Sequence, residues 1–227
     1  MLSATEAAIV LLSLKVSAVA MVMGLPVAFA IAWLLARSRM RGLFLLDALV
    51  HVPLVLPPVV TGWLLLIAFG PAGPVGRWLH DVLGVDLMFR WTGAALAAAV
   101  MSLPLMVRAI RLSLEAVDRR LEQAARTLGA GRWRTFRTVT LPLALPGVLA
   151  GLVLGLARSL GEFGATITFA SNIPGETQTL PLAIYAALQL PGGDATVWRL
   201  ALISIALSVG ALVLSEALAR RSHVHGL

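Results

Sequence analysis

Residues 108–142 read RAIRLSLEAVDRRLEQAARTLGAGRWRTFRTVTLP, a basic stretch set between two long apolar runs. Leu112, Ala116, Leu121, Ala124, Ala125 and Leu128 recur near helical spacing, with arginines and acids between them. The periodicity stops at Gly129 and Gly131, as at a helix C-terminus. A second short helix over 132–140 leads to Pro142. Two short amphipathic helices joined at Gly129-Ala130-Gly131 therefore make an exposed elbow. On charge alone the elbow reads either as an ordinary basic loop or as a docking element for a partner. A helix-turn-helix DNA reader fits poorly, because about 30 residues between two apolar runs hold too little apolar surface for a separate core.

The runs on either side set the environment. The chain has 227 residues, 59% apolar and 13% charged, with mean hydropathy +0.92. Soluble domains average about 45–50% apolar and about 25% charged, so a soluble globule, a disordered tail and a coiled coil are excluded. There are no cysteines, hence no disulfide framework and no thiolate metal site. Crossing the hydrocarbon core takes about 20 apolar residues. Runs of that kind cover 7–36, 43–70, 93–106 (extending through Ile110 to Leu114), 142–170 and 200–219. The first has its basic cluster (Arg37, Arg39, Arg41) after the apolar run and Glu6 before it, the reverse of a secretory signal, so it reads as a retained span. The apolar segment 180–190 is half the required length and reads as re-entrant or interfacial.

Five spans divide the charge unevenly. Segments 37–47, 108–137 and 216–227 hold 13 arginines, whereas the opposite side has only Arg77, Arg90 and Arg199. The positive-inside rule makes the arginine-rich side cytoplasmic, with the N-terminus outside and the C-terminus inside. The net charge of +7 is thus a topology signal and not a nucleic-acid one.

No engine is encoded. A phosphate-binding loop needs a lysine after a glycine-rich turn, and the one lysine, Lys15, lies in the first span without flanking glycines. HExxH and nucleophile-elbow motifs are absent. The histidines (His51, His80, His223, His225) fall at loops, ends or the tail, and His223-Val224-His225 reads as tail chemistry, not a metal site.

The spans carry their own chemistry. Gly147, Gly151 and Gly155, continued by Ser159, form a smooth face that suits close helix packing in lipid. Arg158 and Glu162 are spaced i, i+4 at membrane depth, where pairing lowers the cost of both; a structural bridge and a gate remain equal readings. Pro53, Pro57 and Pro58 bend the second span and free backbone carbonyls, making a candidate pathway wall with the Thr61 hydroxyl nearby, or a structural kink.

The elbow resembles the cytoplasmic signature of ABC-importer permeases, in which Glu-Ala-Ala is followed by glycine and, thirteen residues later, by the proline of a Leu-Pro pair. Gly129 and Leu141-Pro142 have that spacing. The Glu-Ala-Ala slot holds Gln123-Ala124-Ala125, with Glu122 one place early. The stretches LLSLKVS (11–17), HVPLVLPPVVTG (51–62), AAAVMSLPLMVRAIR (97–111), LEQAARTLGAGRWR (121–134) and RSLGEFGATITFASNIPGETQTLP (158–181) look like the permeases of bacterial molybdate importers.

That resemblance implies a single all-α transmembrane domain over 1–227 with the type I importer fold. Its coupling loop would span 115–141 and an outer loop or re-entrant segment 171–198. It implies a multi-pass protein of the bacterial inner membrane that forms, as a homodimer, an alternating-access pathway for molybdate. Two cytoplasmic ATPase subunits would bind ATP and Mg, this chain holding no cofactor of its own. A periplasmic molybdate-binding protein would deliver substrate. Coupling residues would be Glu122, Gln123, Ala124, Ala125, Arg126, Leu128, Gly129, Ala130, Gly131, Arg132, Trp133 and Arg134; pathway or gate residues Pro57, Pro58, Thr61, Arg158, Ser159 and Glu162. Asn172, Gly175, Glu176, Thr177 and Gln178 make a polar outer loop for the binding protein. Tungstate, sulfate or thiosulfate are alternative substrates. A self-contained secondary carrier is disfavoured because no internal repeat is found, and an intramembrane enzyme because the spans lack a paired nucleophile and base.

Overall fold

A capping box starts the chain's first helix. Ser3 Oγ accepts from the Glu6 amide at 3.1 Å, and Glu6 Oε2 accepts from the Ser3 amide at 2.8 Å, at the head of α1 (Ala4–Arg37). The structure, a computed structural model, describes residues 3–38 and 40–224, without the side-chain surroundings of residues 212 and 214–224. Arg39 and His225 lie outside the described residues, as do the side chains of Arg220, Arg221 and His223.

The remaining helices are α2 (Leu43–Val55), α3 (Pro58–Phe69), α4 (Pro74–Leu83), α5 (Trp91–Ala116), α6 (Arg119–Thr127), α7 (Arg132–Thr135), α8 (Leu141–Leu160), α9 (Gly164–Phe169), α10 (Leu180–Leu188) and α11 (Asp194–Val224). A π-helical turn, Phe136–Thr140, joins α7 to α8 without a break, just before Pro142, whose nitrogen has no proton to donate. Four runs are long and apolar enough to cross a bilayer: α1, α5, Arg132–Leu160 and the first part of α11. The pair α2–α3 passes the same test but bends by 118°.

Whether that pair crosses or turns back is decided by its neighbours. At the head of α1, Glu6 Oε1 accepts from Arg199 Nε at 2.8 Å, and Lys15 Nζ sits 3.6 Å from the centre of the Trp91 ring, at the head of α5. At its foot, Arg37 reaches Glu122, just beyond the end of α5. Helices α1 and α5 therefore run in the same direction, and the chain between them must return to the starting side. Asp47, near the start of α2, is held by Arg111 near the foot of α5 at 2.9 Å, and Phe69 at the end of α3 packs edge-on to Phe169. The bent pair is one net traverse of the bundle, which makes it the fifth candidate span. Helix α10 has nine residues, about 13 Å by helical rise, and cannot span.

Close approach of small residues builds the core. Along α8, a Cβ at Gly147 would collide with Ser113, one at Gly151 would lie 3.2 Å from the Met106 carbonyl, and one at Gly155 would lie 2.8 Å from Met106 and 2.9 Å from Met21. The glycine row is thus spent on α5 and α1 of the same chain, and Ser159 Oγ ends it in a 3.1 Å bond with Ser17 Oγ. In lipid such packing replaces the hydrophobic drive that soluble helices use.

Two expectations from the sequence are corrected by the fold. The run 142–170 is not one helix, since α8 stops at Leu160 and α9 restarts at Gly164. Leu112 and Ala116 belong to α5 and not to the elbow helix; Leu114 and Val117 are buried, and Asp118 caps a fresh start by accepting from the Arg120 amide at 2.8 Å.

The two helix breaks meet. A Cβ on Gly164 would lie 2.6 Å from Pro58, and one on Gly62 would lie 2.7 Å from the Ala165 carbonyl and 2.8 Å from Thr168 Cβ. Gly62→Ala thus drives α3 from α9 against backbone atoms that cannot swing aside. We expect a loss of about 1–3 kcal/mol, read as a lower unfolding temperature of the purified chain in detergent; an unchanged temperature would mean that α3 and α9 are not in tight contact.

Candidate functional site

The elbow forms as the local sequence dictates. Glu122 lies in the first turn of α6 and Arg126 in its last, each matched to the helix dipole. The helix closes with paired bonds, the Gly129 amide to the Arg126 carbonyl at 3.0 Å and the Ala130 amide to the Ala125 carbonyl at 3.0 Å. Gly129 takes φ +86°, a conformation that costs a side-chain-bearing residue roughly 1–2 kcal/mol. Gly131 then precedes α7.

No residue of α6 is buried. Leu128 is 89% exposed and Trp133 72%, with Leu121 half exposed. Gln123, Ala124, Arg126, Arg132 and Arg134 are likewise open, Ala130 is partly open, and Ala125 is mostly covered. Ala124 and Leu128 thus do not pack into this chain's own membrane domain.

Glu122 behaves differently. Its Oε1 accepts from Arg37 Nη2 at 2.8 Å and from Thr140 Oγ1 at 2.6 Å, and its side chain is 14% exposed. Glu122 was expected to face a partner, but it turns inward and fastens α6 to the foot of α1 and the base of α8. The one-place shift from the Glu-Ala-Ala slot explains this, since a residue one position away lies about 100° round the helix. Arg37 reads from the sequence only as part of the basic cluster after the first span, and Thr140 is not singled out; they are 85 and 18 residues from Glu122, beyond any local pattern.

The second candidate lies at the meeting of the breaks. Glu162, 2% exposed, sits between α8 and α9. Its Oε1 accepts from the Ala165 amide at 2.8 Å, closing the first turn of α9, and its Oε2 lies 2.6 Å from Arg158 Nη1. The expected i, i+4 pair is present, but across a helix end and not along a helix. Pro57 and Pro58 form the bend opposite, as N-cap and first residue of α3. Thr61 was expected to offer a hydroxyl to the pathway, but it lies on the packed face of α3 with its Oγ buried and unpartnered among the described residues. The open face of α3 carries Val59, Trp63, Leu64 and Ile67 instead.

The outer loop divides in the same way. Thr177 is fully buried, accepting from the Ile173 amide at 2.9 Å and donating to the Ser171 carbonyl at 3.1 Å, so it shapes the loop and is not available for docking. Glu176 accepts from the Trp91 amide at 3.3 Å. Gly175 is exposed, and Asn172 and Gln178 are partly open.

Comparison with known proteins adds a family and a fold. A family profile described as "Binding-protein-dependent transport system inner membrane component" matches residues 20–224. The chain is 62% identical over 213 residues to the "Molybdenum transport system permease protein ModB" of Escherichia coli (strain K12), covering 94% of this chain and 93% of that one. It is 58% identical over 210 residues to the protein of the same name from Haemophilus influenzae, covering 92% of each. Among solved structures, a bacterial alginate ABC transporter in complex with a periplasmic protein superposes with TM-score 0.75 at 16% identity, over 96% of this chain and 80% of that chain. The MetNI methionine ABC transporter in an inward-facing form gives 0.69 at 16% identity, over 96% and 94%. The all-α bundle has the fold of ABC importer permeases.

Proposed function

The chain belongs to the family of binding-protein-dependent transport system inner membrane components, and on that premise we propose that it is the membrane-spanning permease of an ATP-driven molybdate importer. The relatives' names supply the substrate class, and the elbow supplies the coupling. Here α6 and α7 present Leu128 and neighbouring small residues to the aqueous side with nothing of their own chain over them, which is the observation that carries the reading. A second copy completes the pathway, two separate cytoplasmic ATPases bind ATP and Mg, and a periplasmic binding protein delivers the anion to the opposite face. The arginine-rich end is cytoplasmic, so the N-terminus lies outside and the C-terminus inside.

Away from the ends of the spans, the bases are Lys15, engaged by the Trp91 ring, and Arg158, engaged by Glu162. That leaves little free positive charge for a tight dianion site, and selectivity rests with the binding protein. ATP-driven movement of the motor subunits shifts the populations of inward- and outward-open states through the elbow, and the Glu122 clamp carries that movement to α1 and α8. A cysteine at Ala130 should crosslink to the ATPase in the assembled complex with a yield that changes on adding ATP. Absence of any crosslink from residues 122–134 would remove the docking claim. Stimulation of ATP hydrolysis by the loaded binding protein, compared across molybdate, tungstate, sulfate and thiosulfate, assigns the anion; transport by the purified chain without ATP would instead support a carrier.

A further inference from the structure

Behind the elbow, on the side facing the bundle, lies a cavity of about 420 Å³ lined by Arg37, Arg119, Arg126 and Arg132, with Glu122 and Gln123. Glu122 is already paired with Arg37 and accepts a hydrogen bond from Thr140. Arg119, Arg126 and Arg132 make no ion pair among the described residues, and Arg37 Nε is buried there without an acceptor. The cavity is therefore cationic.

It adjoins a second, apolar hollow of about 680 Å³ that shares Trp33, Arg132 and Phe136 with it and adds Phe29, Leu34 and Trp133. The rings form one connected wall: Phe29 to Trp33 at 6.3 Å, Trp33 to Phe136 at 5.1 Å and Phe136 to Trp133 at 5.4 Å. Phe29, Trp33 and Arg37 are spaced by four on one face of α1, and the Arg37 guanidinium lies 5.7 Å from the Trp33 ring. Going down α1 the lining thus passes from apolar ring to indole to guanidinium. That order matches a bilayer boundary, where aromatic residues sit at headgroup level and basic ones just outside it.

We propose that this paired hollow binds one anionic phospholipid, its phosphate among Arg37, Arg119, Arg126 and Arg132 and an acyl chain against the Phe29–Trp33–Phe136 wall. The inference rests on α1 crossing the membrane, and not on the identity of the transported anion. Charge complementarity selects an anionic headgroup, and the shared lining of the cationic hollow and an aromatic one selects a lipid over a free anion. Neither hollow includes Leu121, Leu128 or Ala130, so lipid and motor take opposite sides of the elbow. Trp133 and Arg132 then serve the bilayer side. A lipid held there ties the elbow to the foot of α1, beside the Glu122 clamp.

The test uses native mass spectrometry of the delipidated full-length chain in detergent, offered equal phosphatidylglycerol and phosphatidylcholine. One phosphatidylglycerol should be retained per chain in preference to phosphatidylcholine. Each of Arg119→Gln, Arg126→Gln and Arg132→Gln should lower retention about fivefold; the corresponding lysine variants should keep most of it, and Trp33→Ala should weaken it with the arginines intact. Equal retention of the two lipids by the unaltered chain overturns the proposal without recourse to any variant. Displacement of phosphatidylglycerol by millimolar inorganic phosphate or glycerol phosphate overturns it in favour of a soluble-anion site, and displacement on adding the ATPase overturns it in favour of a protein occupant. Molybdate-stimulated ATP hydrolysis, measured separately, stands or falls independently of these results.

Discussion

Glu162→Ala is expected to destabilise the chain by about 3–5 kcal/mol and to abolish transport. The carboxylate is buried, and it meets Arg158 with one oxygen and the Ala165 amide with the other. Removing it leaves a cation at membrane depth without its partner, the costly way to break a buried pair, and uncaps α9 as well. Removing both charges together costs less than removing the acid alone, so Arg158→Met in the Glu162→Ala background should recover part of the lost stability. Glu162→Gln separates fold from function. Its amide oxygen still accepts from Ala165, so the unfolding temperature falls less, while loss of the charge frees Arg158 at the junction of the two breaks. Coupled uptake should then drop at least tenfold, in order-of-magnitude terms for one lost charge-assisted contact. If Glu162→Gln left both transport and coupled ATP hydrolysis intact, Glu162 would be a structural bridge and no part of a gate.

Residues 158–170 also show what a sequence conceals inside a membrane. The spans were legible because hydropathy integrates over twenty residues, and the elbow because Gly129 and Pro142 are spaced by a local rule. The stop at Leu160 is different. An apolar run gives the same average whether its helix is continuous or broken, and Arg158 with Glu162 has the spacing of an intact helix. The available signal was the pair of glycines around Glu162-Phe163, at Gly161 and Gly164, beside an acid able to cap a new helix start. The three prolines of the second span announced a bend, but its 118° size depends on α9 packing into it, with Gly164 against Pro58. Glu122 illustrates the same limit on the aqueous side. Its partner Arg37 lies 85 residues away, and only the folded bundle brings the foot of α1 to the elbow. Thr61 and Thr177 were read as polar and therefore available, yet both are buried, because helix packing and loop closure claimed those faces first.

Leu128→Asp is expected to separate the permease from its motor without unfolding it. At 89% exposure Leu128 contributes almost nothing to this chain's own core, so the unfolding temperature of the isolated chain should stay within the small range typical of surface changes, about 0.5 kcal/mol. The same side chain sits at the C-cap of α6, beside the αL glycine, open to a docking partner. Fully burying a leucine side chain contributes about 2 kcal/mol, and a buried aspartate there adds its desolvation cost. Affinity for the ATPase should therefore fall by about thirtyfold or more, measured by titrating purified ATPase against the chain in nanodiscs, and ATP hydrolysis should lose its response to the loaded binding protein. Leu128→Met keeps volume and apolarity and should behave almost as the unaltered chain. Unchanged affinity in Leu128→Asp would place the motor elsewhere on the cytoplasmic face, and a large fall in the isolated chain's own stability would mean that the elbow packs against the bundle through Leu128, contrary to its exposure. The three outcomes cannot be mistaken for one another, because docking lowers affinity with stability unchanged, relocation leaves both unchanged, and self-packing lowers the isolated chain's stability.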